Sequence, residues 1–451
     1  MVLTEENGRG RLQKEKILEH FREMIRIPTV SFAKREDTDR EAFQRFRKLI
    51  YDLYPALCST AEVKEIGDFG LLFRIPGQSD KHPSVLMAHM DVVPADPSLW
   101  DADPFGAEVI DGRIYGRGTL DTKSTLWGIL EAAELRAAKG LVPANDIYLS
   151  FGGEEETCGP CCREIVSCLK EKGVRPQFVL DEGGSVIPEG LPGVHGEAAV
   201  IGIAEKGTAN YLLELRDKKG GHASVPPRHT VVGRLSKAAV NIENHPFPAR
   251  LSTPVKMMFK ELKDEAPLYA KAVFARPELF EKAIVFGSRI LGPTVNAMVR
   301  TTVAVTFSES RSEFNVLPQE ASLGVNVRLL EGDTVESAAK RLKATAGDPD
   351  IEVRLVRGTN PSAVAPVDTD EYRMLKEVIS EVWKGVICAP YQMNGGTDAR
   401  FYSELTEEIY RFSPMIMSKE ERASVHGVNE SIAIDNLMRI PVFYLKLMDR
   451  I

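Results

Sequence analysis

Histidine is scarce in this 451-residue sequence, with only 8, so any pattern that uses several of them carries weight. Long apolar runs are missing altogether. Nothing approaches the roughly 18 consecutive apolar residues needed to span a bilayer. The start, MVLTEENGRGRLQKEKILEHF, is charged throughout and has no signal-peptide centre. A membrane partner is therefore not expected, and the compartment expected is the cytoplasm. A basic excess is also absent: Lys+Arg number 57 against Asp+Glu 65, a formal charge of -8. That balance argues against a nucleic-acid partner bound through phosphate neutralisation. Cysteine is limited to six, four of them at Cys158, Cys161, Cys162 and Cys168. Without a secretory signal a disulfide framework is not expected. A zinc knuckle on Cys158-x-x-Cys161-Cys162 lacks a second ligand pair at finger spacing, which leaves reduced thiols on a helix.

What is present is ample material for a globular chain: 43% hydrophobic and 27% charged residues, with 35 Gly and 27 Pro. At about 150 residues per domain the length allows two or three domains. Through the first 200 residues short apolar runs alternate with helical periodicity, the pattern of an α/β fold. The opening helix should bury Ile17, Leu18, Phe21, Met24 and Ile25. Strands are expected at Ser84–Ala88, Asp146–Phe151 and Gln177–Leu180, with a helix over Thr125–Ala138. Each strand runs straight into metal-capable residues: His89-Met90-Asp91, then Gly152-Gly153-Glu154-Glu155-Glu156, then Asp181-Glu182. Ligands of open α/β sheets bind beyond the carboxyl ends of the strands, so these residues should gather at one rim.

From about residue 204 the pattern changes to β-α-β-β-α-β, with strands at 210–216, 303–307, 321–329 and 351–356 and helices at 230–242 and 335–346. This is the split βαβ, ferredoxin-like order of a small inserted domain. A stretch from His245 to Met298 interrupts it and reads as additional helices. Beyond Pro361 long helical patterns return, at Tyr372–Trp383 and around Asp435–Met448.

The candidate ligands are His89, Asp121, Glu156, Asp181 and His426. Imidazole and carboxylate without thiolate suit catalytic zinc. Two histidines and three carboxylates exceed one tetrahedral ion and match two ions sharing a bridging carboxylate. Asp91, two positions after His89, could accept the other ring N–H and fix the tautomer. Gly116-Arg117-Gly118 lacks the third glycine of a dinucleotide fingerprint, and Lys123-Ser124 lacks the glycine of a phosphate loop.

VLMAHMDVVP, YGRGTLDTKS, LSFGGEEETCG, VLDEGG, GGHASVPP, GGTDARFY and VHGVNE follow one another along the chain. Together they resemble the aminoacylase/carboxypeptidase/dipeptidase family of dizinc metallohydrolases, nearest the branch of carboxypeptidase S and N-acyl-amino-acid hydrolases. The resemblance implies a mixed-sheet zinc-peptidase catalytic domain, residues 1–203 and 361–451, with a ferredoxin-like lid and dimerisation domain inserted at 204–360. His89 and Asp181 would hold one zinc, Glu156 and His426 the other, and Asp121 would bridge them. Cobalt or manganese are possible substitutes. Glu155 would be the general base taking a proton from a water shared by the ions. The family usually has Asp-Glu-Glu where this chain has Glu154-Glu155-Glu156, so a slip making Glu154 the base and Glu155 the ligand stays open. A cis peptide at Asp121-Thr122 is also implied.

His222 would donate to the oxyanion, in dimers from the partner chain; the bland alternative is a turn histidine. Arg328, Asn315, Gly396 and Thr397 correspond to substrate-anchoring positions, with Arg328 suited to a carboxylate. Asn326 stands where the family often has Asp, and a surface ion pair is the other reading of Arg328. His20, His82, His195, His229 and His245 have no motif partners and read as structural or surface residues. The implied activity is hydrolysis of a peptide or N-acyl amide beside a free α-carboxylate, releasing an amino acid. Its rivals are a deacylase of succinyl-diamine or acetylornithine type, an inactive metal-binding scaffold, and a thiol module. A homodimer through the lid is expected, unless the His245–Met298 stretch covers that surface and leaves a monomer.

Overall fold

The apolar run ahead of His89 is buried from Val85 to Ala88 on both sides of its strand. Continuous rather than alternating burial is what a central parallel strand requires. The structure, a computed structural model, describes residues 8–451 except positions 192, 195, 218, 269, 311 and 312, so His195 lies outside the described residues. The chain divides into two compact units, one of Met1–Ile203, Ala365–Pro390 and Thr397–Ile451, the other of Ala204–Val364 and Tyr391–Gly396.

The first unit is built on an eight-stranded mixed sheet in the order Glu62–Ile66, Gly70–Ile75, Asn145–Gly152, Ser79–His89, Phe178–Ile187, Ile409–Ile416, Ala198–Glu205, Ile387–Met393. Its centre is parallel: Ser79–His89 pairs in parallel with both Asn145–Gly152 and Phe178–Ile187. The register sets His89 opposite Gly152 and Leu86 opposite Leu180. Those pairings bring the metal-capable segments to one rim. The third strand does not stop at Leu180 as the sequence suggests but continues through Asp181-Glu182-Gly183-Gly184 to Ile187. Glycine permits this: Gly183 has φ 138°, and a Cβ on Gly184 would lie 1.9 Å from the Val200 carbonyl oxygen.

The helix after Asp121 spans Lys123–Ala138 and is buried along nearly its whole length. Trp127 packs on Phe21 with ring centroids 5.5 Å apart, and its indole N–H donates to the Ile17 carbonyl at 3.0 Å. The expected terminal helix is two, Ile434–Leu437 and Arg439–Met448. Ile440 of the second packs so closely on Gly128 that a Cβ there would come within 2.3 Å.

The second unit holds a four-stranded antiparallel sheet in the order Thr302–Glu309, Glu320–Leu329, Gly207–Arg216, Glu352–Thr359. With helices Val231–Asn244 and Val335–Ala346 this is the β-α-β-β-α-β arrangement. Alternation sorts its faces. Ala209, Tyr211, Leu213, Leu215, Leu323, Val325, Val327 and Leu329 form one core with Leu235, Ala238, Ala338 and Leu342 of the helices. Thr334 caps the second helix, and Gly347, at φ 71°, ends it. Between the first helix and second strand lie, among the described residues, the further α-helices Thr253–Glu261, Lys271–Ala275, Glu281–Ile290 and Pro293–Met298 and a 3-10 turn at Leu262–Asp264.

Candidate metal centre

Asp121 is the hub of the rim. Its Oδ1 lies 2.9 Å from His89 Nε2 and its Oδ2 3.0 Å from His426 Nε2. His426 Nε2 also lies 3.0 Å from Glu156 Oε2. The Asp121-Thr122 peptide bond is cis, and His426 stands at φ 60° in the loop that brings it back to the sheet. His89, Asp121 and Glu156 offer ligand atoms within 4.8 Å of one another, and so do His89, Glu155 and Glu182. Among the described residues no such group includes a cysteine. All six thiols are free, and burial pushes those of Cys161 and Cys162 upward, away from the thiolate that zinc needs.

The Glu triplet divides its work. Glu154 is buried and held by Arg35, whose Nε is 2.9 Å away, and by the Cys161 N–H at 3.1 Å. Glu155 is in reach of His89 and Glu182, and Glu156 of His426 and Asp121. Glu154 is thus engaged with Arg35 and the Cys161 N–H, while Glu155 and Glu156 stand beside the histidines.

Two expected residues take other parts. Asp181 accepts from the Glu182 N–H and the Ala399 N–H, each at 2.9 Å. It is the neighbouring Glu182 whose carboxylate stands 3.7 Å from His89 Nε2. Successive side chains of a strand point to opposite sides, so only one of the two can face the cluster. His89 Nδ1 lies 2.9 Å from the carbonyl oxygen of Asp91 and 3.4 Å from its carboxylate. That carboxylate also accepts from the Glu155 and Glu156 N–H groups, both at 3.1 Å, and from the Ser31 hydroxyl at 2.6 Å. Asp91 therefore ties the histidine strand to the Glu loop.

The electrostatics are those of too many acids for their cations. Burial raises Glu155, Glu182 and Asp398, the last to about 8, and their carboxylate neighbours add to it. His426 is pushed up to about 10 by hydrogen bonds to Asp121 and Glu156. Burial opposes a charged His89, but Asp121 and Asp91 outweigh it and hold its pKa well above normal. Glu156 Oε1 is buried without a hydrogen-bond partner. An orphaned carboxylate oxygen amid surplus negative charge is the environment a divalent cation relieves, so these residues fit a metal centre.

In the second unit, His222 lies on a short ribbon, Gly221–His222 paired with Val316–Leu317. The Ala223 N–H donates to the Asn315 carbonyl at 2.9 Å, so both expected residues share that ribbon. His222 is exposed, its Nδ1 2.7 Å from the Ser224 hydroxyl. Arg328 lies on the sheet face away from the helices and donates to Thr208 Oγ1 at 2.9 Å. The buried ammonium of Lys206, which the sequence reading did not single out, is pushed down to about 8 by burial and then by Arg328. Thr397 belongs to the first unit and caps the turn Asp398–Glu404, whereas Gly396 falls in the second. Of the unassigned histidines, His20 is buried 2.7 Å from Glu131, and His245 is exposed.

A mixed α/β sheet that collects imidazoles and carboxylates at its parallel rim is built to hold divalent metal. Residues 85–450 match the model of peptidase family M20/M25/M40. Among curated relatives, the N-fatty-acyl-amino acid synthase/hydrolase PM20D1.1 of Danio rerio is 35% identical over 97% of this chain and 86% of its own length. A probable carboxypeptidase S-like 2 of Dictyostelium discoideum is 30% identical over 93% and 82%. The fold is shared with the metallo-carboxypeptidase Sso-CP2 of Sulfolobus solfataricus, at a TM-score of 0.70 and 18% identity over 96% of this chain and 98% of that one. The chain belongs to peptidase family M20/M25/M40 and is a metallopeptidase-type hydrolase. No helix among the described residues is long and apolar enough to cross a membrane.

Proposed function

We propose that this enzyme holds two zinc ions and hydrolyses an amide beside a free α-carboxylate, releasing an amino acid. The observation that carries the reading is Asp121 with one oxygen on His89 and the other on His426. A carboxylate so shared is suited to bridge two ions. His89 and Glu182 would complete one site, and Glu156 and His426 the other; the position of Asp181 supports a holding role for it instead. When bound, two dications supply Lewis acidity, polarising the scissile carbonyl and acidifying a water molecule.

Glu155 would accept a proton from the attacking water and return it to the departing amine. Its place beside His89 and Glu182, at the centre of the cluster, suits a group that must act as base and then acid. His222 donates to the developing oxyanion. Arg328, with Lys206 nearby, draws in the substrate carboxylate, and Asn315, Gly396 and Thr397 orient it. The second unit serves as lid and dimerisation surface, and six free thiols support a reducing, cytoplasmic compartment.

Within the class, the relatives named for N-fatty-acyl-amino acids favour an N-acyl-amino acid over a dipeptide. The test is a panel of N-acyl-amino acids, dipeptides, acetylornithine and succinyl-diamines, assayed after chelation and again with Zn²⁺ restored. Zinc-dependent release of an amino acid from N-acyl substrates is expected. Turnover confined to acetylornithine or succinyl-diamines would transfer the reading to the deacylase class.

A further inference from the structure

The segment carrying Asp121 and the segment carrying His426 lie 305 residues apart in sequence, yet Asp121 must meet His426 at 3.0 Å. Antiparallel pairing of Arg113–Tyr115 with Ser431–Ala433 brings the two segments together, and a fully buried ion pair, Arg117 with Glu430, lies between that pairing and the cluster. Glu430 is fully buried, and its Oε1 accepts from three consecutive parts of the Asp121 loop: the N–H groups of Gly118 at 3.1 Å, Leu120 at 2.7 Å and Asp121 itself at 3.2 Å. Its Oε2 takes Arg117 NH1 at 2.7 Å. Arg117, also buried, turns its NH2 to the carbonyl of Gly427 at 2.7 Å, immediately after His426. The Gly116 N–H closes the arrangement on the Glu430 carbonyl at 2.9 Å, and the guanidinium sits 5.2 Å from the Trp100 ring.

The geometry points to Glu430, braced by Arg117, as a positioning residue that fixes the distance between Asp121 and His426. It thereby sets the affinity of the ion that Asp121, His426 and Glu156 would share. The inference rests on the two-zinc reading above. A hydrophobic stretch could seal these loops together, but it could not satisfy three converging backbone N–H groups. A buried carboxylate can, and it needs a cation beside it, which Arg117 provides. Neither residue reaches the cluster with its own side chain, so the effect passes through the loops. Asp91 and Asp181 brace backbone N–H groups of the Glu155–Glu156 and Glu182 segments in the same manner, whereas the Glu430 carboxylate with Arg117 ties the Asp121 loop directly to the loop that follows His426.

The test is a stepwise titration of the metal-free, full-length protein with Zn²⁺ against a competing chelator, with Co²⁺ absorption as a second readout. Glu430→Gln keeps an oxygen for the three N–H groups but loses the bond to Arg117. Arg117→Lys keeps the charge but cannot reach both the carboxylate and the Gly427 carbonyl. Wild type should take up two ions in two steps. In each variant one step should stay and the other weaken by about 10- to 100-fold, with the cobalt spectrum of the weakened ion altered, whatever stability the disturbed buried pair costs the metal-free protein. If both steps match wild type in both variants, Glu430 sets nothing. If both steps weaken together and the metal-free protein melts earlier, the ion pair is only a fold element and the inference also falls. Fewer than two ions in wild type would instead bring down the two-zinc reading itself, before any variant is measured.

Discussion

The rim of the first unit and the ribbon of the second carry the same kind of residue under opposite regimes. At the rim, His89 is nearly inaccessible and touches Asp121, the Asp91 carbonyl and, at longer range, Glu182. Three of the segments there are braced by buried carboxylates: Asp91 under Glu155 and Glu156, Asp181 under Glu182, Glu430 under Asp121. On the ribbon, His222 is exposed and its ring bonds to Ser224, two residues away. Val225 and Phe314 beside it are exposed as well. A group meant to hold ions must be placed before they arrive, and that costs buried, fully bonded scaffolding. A group meant to meet a substrate late can stay in water until then.

This contrast can be broken in three ways. The largest effect should come from the rim: Glu155→Gln is expected to lower kcat by about 10²- to 10⁴-fold while the protein still binds its full complement of metal. Near-wild-type turnover on the enzyme's own substrate would remove Glu155 as base. On the ribbon, His222→Ala should lower kcat by about 10²- to 10³-fold, again with metal content unchanged. Mixed with Glu155→Gln protein, it should regain activity if the ribbon serves a partner's site. A mixture as inactive as its parts, at every ratio, would assign His222 to its own chain.

The smallest effect concerns stability without metal. Asp398 at about 8, with Glu155 and Glu182 also raised, keep their protons in the fold better than in the unfolded chain. Stability linked to such acids is present below the unfolded carboxylate pKa of about 4 and is lost as pH rises through their folded values. His426 works in the same direction, its contribution present below about 6.5 and lost as pH climbs toward its folded value of about 10. Asp121, held below its normal range by His426 and His89 despite burial, matters only in acid. The melting temperature of metal-free protein should therefore fall steadily from pH 5 to 8, by a few degrees, whereas zinc-loaded protein should stay flat. A metal-free melting temperature that rises with pH would contradict this account of the cluster.

Much of the arrangement was legible beforehand. Apolar strands running into acids and histidines placed the rim, because strand ends in a parallel sheet have only one place to gather. The β-α-β-β-α-β order and its two helices followed from periodicity and from Gly347. What was not legible is the choice between adjacent residues. Asp181 and Glu182 are chemically alike, and which faces His89 depends on strand register and on the room that Gly183 and Gly184 leave. Glu430 and Arg117 both stood inside motifs already singled out, VHGVNE and YGRGTLDTKS. Nothing local revealed that they bind each other, since a salt bridge across more than 300 residues has no periodicity to betray it.

The sequence by itself determined the chemistry available: few histidines, abundant acids at strand ends, and thiols kept out of the metal sites. Only the tertiary structure decided which acids reach and which acids hold. That choice is made by burial and hydrogen-bond geometry between distant segments, where a carboxylate's neighbours, and not its identity, assign its task.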